Sequence, residues 1–368
     1  MYKTMLIALG LTLGAGVAAA SADPWTGGDT LPTSPLACDN TPGEAAAMPY
    51  DGGAPTGAPD LKGKPIKVVD VPKLIGIGYF NATSKGIQDG AKELGNVTAT
   101  TDGPTEAKID EQVKFIDNYI TRGVDGILFA ANDPVAIAPV LKKALGKGIH
   151  VVGYDANSQP DAREWFVNQA QFNGIAKAMI DAMAKEAGED KSFAIVTSTF
   201  TTPNQARWIA EMWAYAQQCH PKLKWLETVE AQEDNILSFN QASTLINKYG
   251  DELGGLFGMT SVATPASAEA VTQAKLCGKV AVVGLATPNA MKPYVNTDCV
   301  KSVVLWNPID LGYAAVQVMR AAVDGKLKPG ATEVEAGKLG KLKIVNGSEV
   351  LLGPPFIYTK DNINGFDF

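Results

Sequence analysis

Lys73 is the first residue whose type is out of place. It stands in Val71-Pro72-Lys73-Leu74-Ile75-Gly76-Ile77-Gly78-Tyr79-Phe80, an apolar approach that ends in two aromatics. An unpaired ammonium leaves water only at high cost. Two roles fit it: a surface lysine at a strand edge that snorkels into solvent, or a donor aimed at ligand oxygens. Asp155 follows the apolar run Ile149–Tyr154. A carboxylate there can cap a turn, or it can accept charge-assisted hydrogen bonds from two neighbouring hydroxyls. Asn204 and Gln205 come directly after Pro203, in a helix's first turn, where free amides and polar side chains gather. Met259 and Ser261 follow a third apolar run, as loop or as lining. Tyr79, Phe80 and Trp306 offer flat apolar faces, suited either to core packing or to the C–H faces of a sugar ring. Asn307 follows Trp306 in Leu305-Trp306-Asn307-Pro308. Together these residues suit reversible hydrogen bonding to a small hydroxylated molecule. Trp165, Trp208, Trp213 and Trp225 read as packing residues.

Covalent chemistry has little to work with. His150 and His220 are the only two histidines, and they lie far apart in sequence. That speaks against a Ser/His/Asp triad or a His-rich metal centre. No phosphate-cradling glycine loop and no nucleophile–base pair stand out, so binding without catalysis and without a cofactor is expected. A formal net charge of −7 with no basic run argues against nucleic acid and anionic membranes.

The elements that must position these residues alternate strand and helix from residue 66 onward. Asp125–Ala131 is a continuous apolar run, as expected of a strand buried on both faces. Asn132-Asp133-Pro134 then supplies a helix start, with Val135, Ile137, Ala138, Leu141 and Leu145 at helical spacing and Gly148 as its end. With Ile149–Tyr154 this makes a βαβ unit and a parallel sheet. Pro104–Thr121 reads as the preceding helix. Three further units repeat strand, loop, Thr-Pro and helix: Phe193–Thr197 with Thr202-Pro203, Leu253–Phe257 with Thr264-Pro265, and Val280–Leu285 with Thr287-Pro288. Each puts its loop at the carboxyl end of a parallel strand, where open α/β sheets bind ligands. Leu311–Val323 is a last clear helix. The fold class is therefore α/β: two doubly wound parallel-sheet lobes with a hinge and an inter-lobe ligand cleft. The lobes comprise residues 66–168 with 307–350, and 169–306 with 351–368. Chain crossings fall near 168, 306 and 350.

The amino terminus carries Lys3, the apolar run Met5–Ala20 and the small-x-small sequence Ala20-Ser21-Ala22. Residues 1–22 thus read as a cleavable signal peptide, an uncleaved anchor being the alternative. Residues 23–65 contain eight prolines and seven glycines. That composition suits a flexible spacer, or an arm packed on the body and held by Cys38 and Trp25. Four cysteines in an exported chain can form up to two disulfides. If the strands at 280–285 and 300–305 are neighbours, Cys277 and Cys299 share one end of the sheet and can be bridged.

Four segments carry a family resemblance: the run Pro72–Phe80, Asp102-Gly103-Pro104-Thr105-Glu106, Thr287-Pro288-Asn289-Ala290-Met291-Lys292-Pro293-Tyr294-Val295, and the ending Lys360–Phe368. Through them residues 66–368 resemble periplasmic solute-binding proteins of the ribose-binding type, and within these the autoinducer-2-binding and rhamnose-binding branch. The resemblance implies a periplasmic monomer whose lobes close on a small sugar or polyol. It implies delivery to an inner-membrane ABC permease, with presentation to a chemoreceptor or sensor kinase compatible as well. It puts the family's ligand-contacting lysine at Lys73 and its ligand-binding aspartate at Asp155. The autoinducer-2 pattern carries Asp where this chain has Asn204 and Asn307, and Pro and Ala where it has Met259 and Ser261. Those departures weaken autoinducer-2 itself and leave room for a deoxyhexose, pentose or related polyol, with an autoinducer-2 receptor as the alternative reading.

Overall fold

The computed structural model describes residues 33–39 and 48–368. The signal-peptide reading of 1–22, and Trp25, lie outside them.

Along the chain, β1 (Ile66–Val71), α1 (Gly78–Leu94), β2 (Val97–Thr101), α2 (Ile109–Arg122), β3 (Gly126–Phe129), α3 (Ala138–Gly146), β4 (His150–Tyr154) and β5 (Trp165–Asn168) build the first half. Then come α4 (Phe172–Ala187), β6 (Ser192–Thr197), α5 (Pro203–Cys219), β7 (Lys224–Glu230), α6 (Asn235–Tyr249), β8 (Leu253–Gly258), α7 (Ala263–Gln273), β9 (Ala281–Gly284), α8 (Pro288–Asn296) and β10 (Ser302–Leu305). The chain finishes with α9 (Pro308–Val323), β11 (Glu333–Glu335), β12 (Lys341–Val345), β13 (Glu349–Leu351) and β14 (Phe356–Thr359).

One sheet has the order β11-β12-β13-β5-β4-β3-β1-β2, and a second the order β7-β6-β8-β9. The second is parallel throughout. In the first, only the β11–β12 and β12–β13 pairings are antiparallel. The pair β10–β14 is antiparallel and joins the second sheet through a parallel bridge between Leu285 and Val304. The chain therefore passes from one lobe to the other after Asn168, between Leu305 and Pro308, and after Leu351.

Alternation along the strands builds the layers. Val68, Leu128 and Val152 pack with Ile87 of α1 and Val316 of α9. Their neighbours Val69, Ile127 and Val151 point the other way, onto Ile116 of α2 and Leu141 of α3. Period-2 side-chain alternation on a sheet covered on both faces requires that split. Helices α1 and α9 cross with their backbones nearly touching. A Cβ on Gly86 would lie 1.8 Å from the Ile309 carbonyl oxygen, and one on Gly312 2.0 Å from that of Thr83.

Three element boundaries differ from the sequence reading. Helix α2 begins at Ile109, not Pro104, because the Pro104 carbonyl accepts from Ile75 N–H (2.8 Å) and holds that segment to the loop after β1. Asp133 caps a single turn through Val135 and Ala136 N–H (2.9 and 2.8 Å), and α3 starts only at Ala138. Val135 is consequently 63% exposed and not on the inward face. Helix α7 starts at Ala263, so Thr264 lies inside it and bonds the Gly258, Thr260 and Leu285 carbonyls. A fourth strand–helix unit in the second half, β7–α6, is absent from the sequence reading.

No helix among the described residues is long and apolar enough to cross a membrane. Cys277 and Cys299 are joined, their Cα atoms 4.7 Å apart, and Cys38 is joined to Cys219. The described parts of residues 23–65 lie on the body, as a packed arm and not a free spacer. Replacing Gly86 by valine should drive α1 off α9 and cost about 1–3 kcal/mol or more. A shift in the urea unfolding midpoint at unchanged slope measures it.

Candidate functional site

The site lies where the carboxyl ends of β1, β4, β6, β7 and β8 face one another. Lys73 is placed by the loop after β1, which buried Gln112 fixes. The Gln112 Nε2 donates to the carbonyls of Pro72 (3.1 Å) and Ala130 (2.7 Å), and its Oε1 accepts from Asn132 N–H. Asn132 in turn donates to the Lys73 carbonyl (2.9 Å). Asp155 follows β4 with φ 59°, a left-handed conformation that aspartate tolerates better than most residues. The turn brings its carboxylate over the strand ends.

Lys73 Nζ and Asp155 Oδ2 are 3.0 Å apart, with both side chains only 4% exposed. Lys73 also donates to Asn204 Oδ1 (3.3 Å). The Tyr79 hydroxyl donates to Asp155 Oδ1 (2.9 Å) and accepts from the Trp306 indole N–H (2.9 Å). Burial and then the Asp155 charge hold the Tyr79 phenol well above its ordinary range, so it stays a donor. Gln205 Oε1 accepts from Thr197 Oγ1 (2.6 Å) and Ser198 N–H (2.8 Å), and its Nε2 donates to Glu233 Oε1 (3.3 Å). Tyr79 meets Phe80 and Trp306 edge-on, and Trp306 packs on Trp208 with ring centres 5.7 Å apart.

These groups surround a cavity of about 30 Å³ lined by Lys73, Tyr79, Phe80, Asp155, Asn204, Gln205, Met259, Ser261 and Trp306, with Ile77, Trp208, Glu233, Thr260, Leu285 and Leu305. That is room for about one or two waters, less than a monosaccharide needs. Lys73–Asn204 and Tyr79–Trp306 each join residues of different sheets' connections, so the cleft is drawn shut by its own side chains.

Asn307 is not in this lining. Its Oδ1 caps α9, accepting from Ile309 N–H (2.9 Å) and Asp310 N–H (3.3 Å). A short amide before Pro308 is better placed to satisfy a helix end than to reach the cleft. Trp208 stands in the lining instead of serving only as packing. Glu233 was missed outright. It lies past the carboxyl end of β7, the position at which ligand groups gather, and recognising β7 would have pointed to it. Gln232 and Glu233 are both left-handed, at φ 52° and 56°. Such strain in non-glycine residues concentrates at functional sites. Burial raises the Glu233 carboxyl above its ordinary range. The Lys73 charge and hydrogen bonds from Thr260 and Gln205 oppose the rise, while Asp155 adds to it. Among the described residues no cluster of His, Cys, Asp and Glu could hold a metal ion.

The fold and cleft define a two-lobed α/β ligand-binding protein. Residues 68–327 match the periplasmic binding protein domain, and the chain belongs to that family. It is a binding protein, not an enzyme. It is 26% identical over 271 residues to the D-allose-binding periplasmic protein of Escherichia coli, covering 70% of this chain and 85% of that one. It is 29% identical over 196 residues to the D-ribose/D-allose-binding protein of Pseudomonas aeruginosa, a match that spans 51% of this chain and 60% of the relative's length. Among solved structures it is similar to an ABC transporter solute-binding protein from Clostridium phytofermentas with bound L-rhamnose, at TM-score 0.76 and 28% identity, covering 82% and 98% of the two chains. The LsrB protein of Clostridium saccharobutylicum in complex with AI-2 shares the fold at TM-score 0.78 and 22% identity, covering 82% of this chain and all of the other.

Removing one member of a buried ion pair strands the other. Asp155→Ala should lower stability by about 3 kcal/mol, and adding Lys73→Met should return part of it. Urea denaturation of the single and double variants tests this; a single variant as stable as the parent would show the pair to be solvated. A carboxyl whose folded pKa is raised binds its proton more tightly in the fold. Its contribution to stability therefore falls as pH rises from its ordinary range through the folded value. Glu233→Gln should remove that fall, so its unfolding midpoint should gain on the parent's more at pH 8 than at pH 4.

Proposed function

We propose that the chain is the ligand-binding component of an ABC importer, taking up a small neutral sugar or polyol as the lobes close about a hinge at the three crossings. The observation that carries this is the charge balance of an aromatic-walled cleft. The ammonium of Lys73 is matched by Asp155 at 3.0 Å, and burial raises the Glu233 carboxyl above its ordinary range. An anion would meet an ammonium already paired, and a cation a carboxylate already paired. A neutral polyol can instead insert between them, accepting from Lys73 and donating to Asp155, with its C–H face on Trp306 or Phe80. Opening costs the Lys73–Asn204 and Tyr79–Trp306 hydrogen bonds, and a ligand's hydroxyls replace them. Glu233 and Gln205 then form a second polar wall on the opposite side, which reads a further hydroxyl. The relatives named above for ribose, allose and rhamnose support this ligand class. The expected exported leader at residues 1–22 suits delivery in the periplasm to an inner-membrane permease.

Of the two asparagines that depart from the autoinducer-2 pattern, Asn204 lines the cleft and Asn307 does not, so discrimination is expected to rest on Asn204.

A thermal-shift panel of D-ribose, D-allose, L-rhamnose, D-fucose, D-arabinose and AI-2 identifies the ligand. A sugar present at a hundred times its dissociation constant should stabilise the protein by about 2.7 kcal/mol. Stabilisation by an anionic ligand alone would overturn the reading. Asn204→Asp places a second carboxylate beside Lys73 and should weaken the sugar so identified by roughly tenfold, about 1.4 kcal/mol, measured by calorimetry. Unchanged affinity would remove Asn204 from the ligand's contacts.

A further inference from the structure

Buried polar atoms without a partner gather where the chain first crosses between the lobes. Among the described residues nine side-chain nitrogens and oxygens are buried with no hydrogen bond. Three of the nine belong to Asn168, the last residue of β5, and Gln169, the first residue of the crossing. Gln169 is the extreme case. It is fully buried, and its amide nitrogen and amide oxygen both lack a partner. Each of the two atoms exposes less than 1 Å², so water does not reach them either. A side-chain amide offers two donors and an acceptor, and burying it unpaired loses its hydration with nothing in exchange. Among the described residues no other side-chain amide is buried and unpaired at both ends.

Its position gives this a consequence. Only residues 169–171 link β5 of the first lobe to α4 of the second. The Asn168 carbonyl accepts from Leu352 N–H (2.9 Å), and Leu351 lies opposite Asn168 in the β13–β5 pairing. The first and third crossings therefore run side by side at Gln169. A turn of one lobe against the other is absorbed in a few residues of this kind. The surroundings of Gln169 must change when the lobes part. Ser238 and Ser267 are also buried and unpaired, but they lie inside α6 and α7 and travel with one lobe. The cleft above the crossing is the shut one, of about 30 Å³. The unpaired amide is thus a property of the closed form.

We propose that Gln169 holds the ligand-free protein open: closure buries its amide unpaired, and opening returns the amide to hydrogen-bonding partners. A buried unpaired polar group of this kind shifts an equilibrium by roughly tenfold or more. Empty closed molecules are then rare, and apparent affinity is reduced by the same fraction. Closure reports an occupied cleft, because the bonds made by a bound molecule offset the cost at Gln169. The proposal rests on the lobe movement proposed above, but its test needs no ligand.

Small-angle scattering of the ligand-free protein compares the parent with Gln169→Met, Gln169→Leu and Ser238→Ala. An apolar side chain of similar length enters the closed site without stranding an amide. Both Gln169 variants should therefore have a smaller radius of gyration than the parent, their closed fraction rising by roughly tenfold where it is small. Ser238→Ala removes an unpaired hydroxyl within one lobe and should leave the radius unchanged. Either Gln169 variant that keeps a cooperative urea transition carries the test. Loss of folding in both overturns the proposal, since the amide would then be a structural requirement. A radius equal to or larger than the parent's in the folded Gln169 variants overturns it, and so does equal compaction by Ser238→Ala. If the Gln169 variants compact but no sugar stabilises the parent, the sugar reading fails while the role of Gln169 stands. If a sugar compacts the parent and the ligand-free variants match it in radius, the reverse holds.

Discussion

The pairing of Lys73 with Asp155 is the constraint around which the cleft is built. Two charges taken out of water lose several kcal/mol of hydration each, and their attraction offsets this only when the remaining donor and acceptor capacity is also met. Here it is met from several elements at once: Tyr79 from α1 supplies the second bond to Asp155, Asn204 from α5 the second to Lys73, and Trp306 holds Tyr79. Three of these partners come from the loop–helix junctions of one sheet and two from connections of the other. The pair therefore couples the lobes while matching one buried charge against the other.

Backbone geometry repeats the same solution on both sides. Asp155 after β4 and Gln232-Glu233 after β7 all adopt left-handed conformations at the carboxyl end of a parallel strand. Such a turn reverses the chain within one or two residues and sends a carboxylate back over the strand ends. The conformational cost is of order 1–3 kcal/mol per residue, and it persists because buried hydrogen bonds hold the turns. Gln205 ties the second turn to β6 through Thr197 and Ser198. The acids of the two lobes thus stand at the ends of parallel strands, one on each side of the cleft.

The arm extends that logic from the cleft to the back of the molecule. Its contacts with the first lobe gather at the amino-terminal ends of β5 and β13, at Arg163, Glu164 and Gly347. Its backbone supplies partners to the buried Glu211 carboxylate and to the terminal nitrogens of Arg320.

The sequence by itself determined the alternation of strands and helices, because apolar runs, Thr-Pro junctions and glycine stops act locally. It also pointed to Lys73, Asp155, Asn204, Gln205 and the aromatics, since a polar residue at the end of a buried strand is conspicuous in one dimension. It could not find Glu233, because β7 reads Lys-Trp-Leu-Glu-Thr-Val-Glu and, lying at a sheet edge, lacks the apolar run of a central strand. Nor could it separate Asn307 from the lining residues: a cap and a ligand contact use the same amide, and only the helix that follows shows which bonds it makes. The start of α2 was decided by a carbonyl shared with the loop after β1, and the arm's path by a cysteine 181 residues away. Such long-range pairings leave no trace in local spacing, and only the tertiary structure brings their partners together.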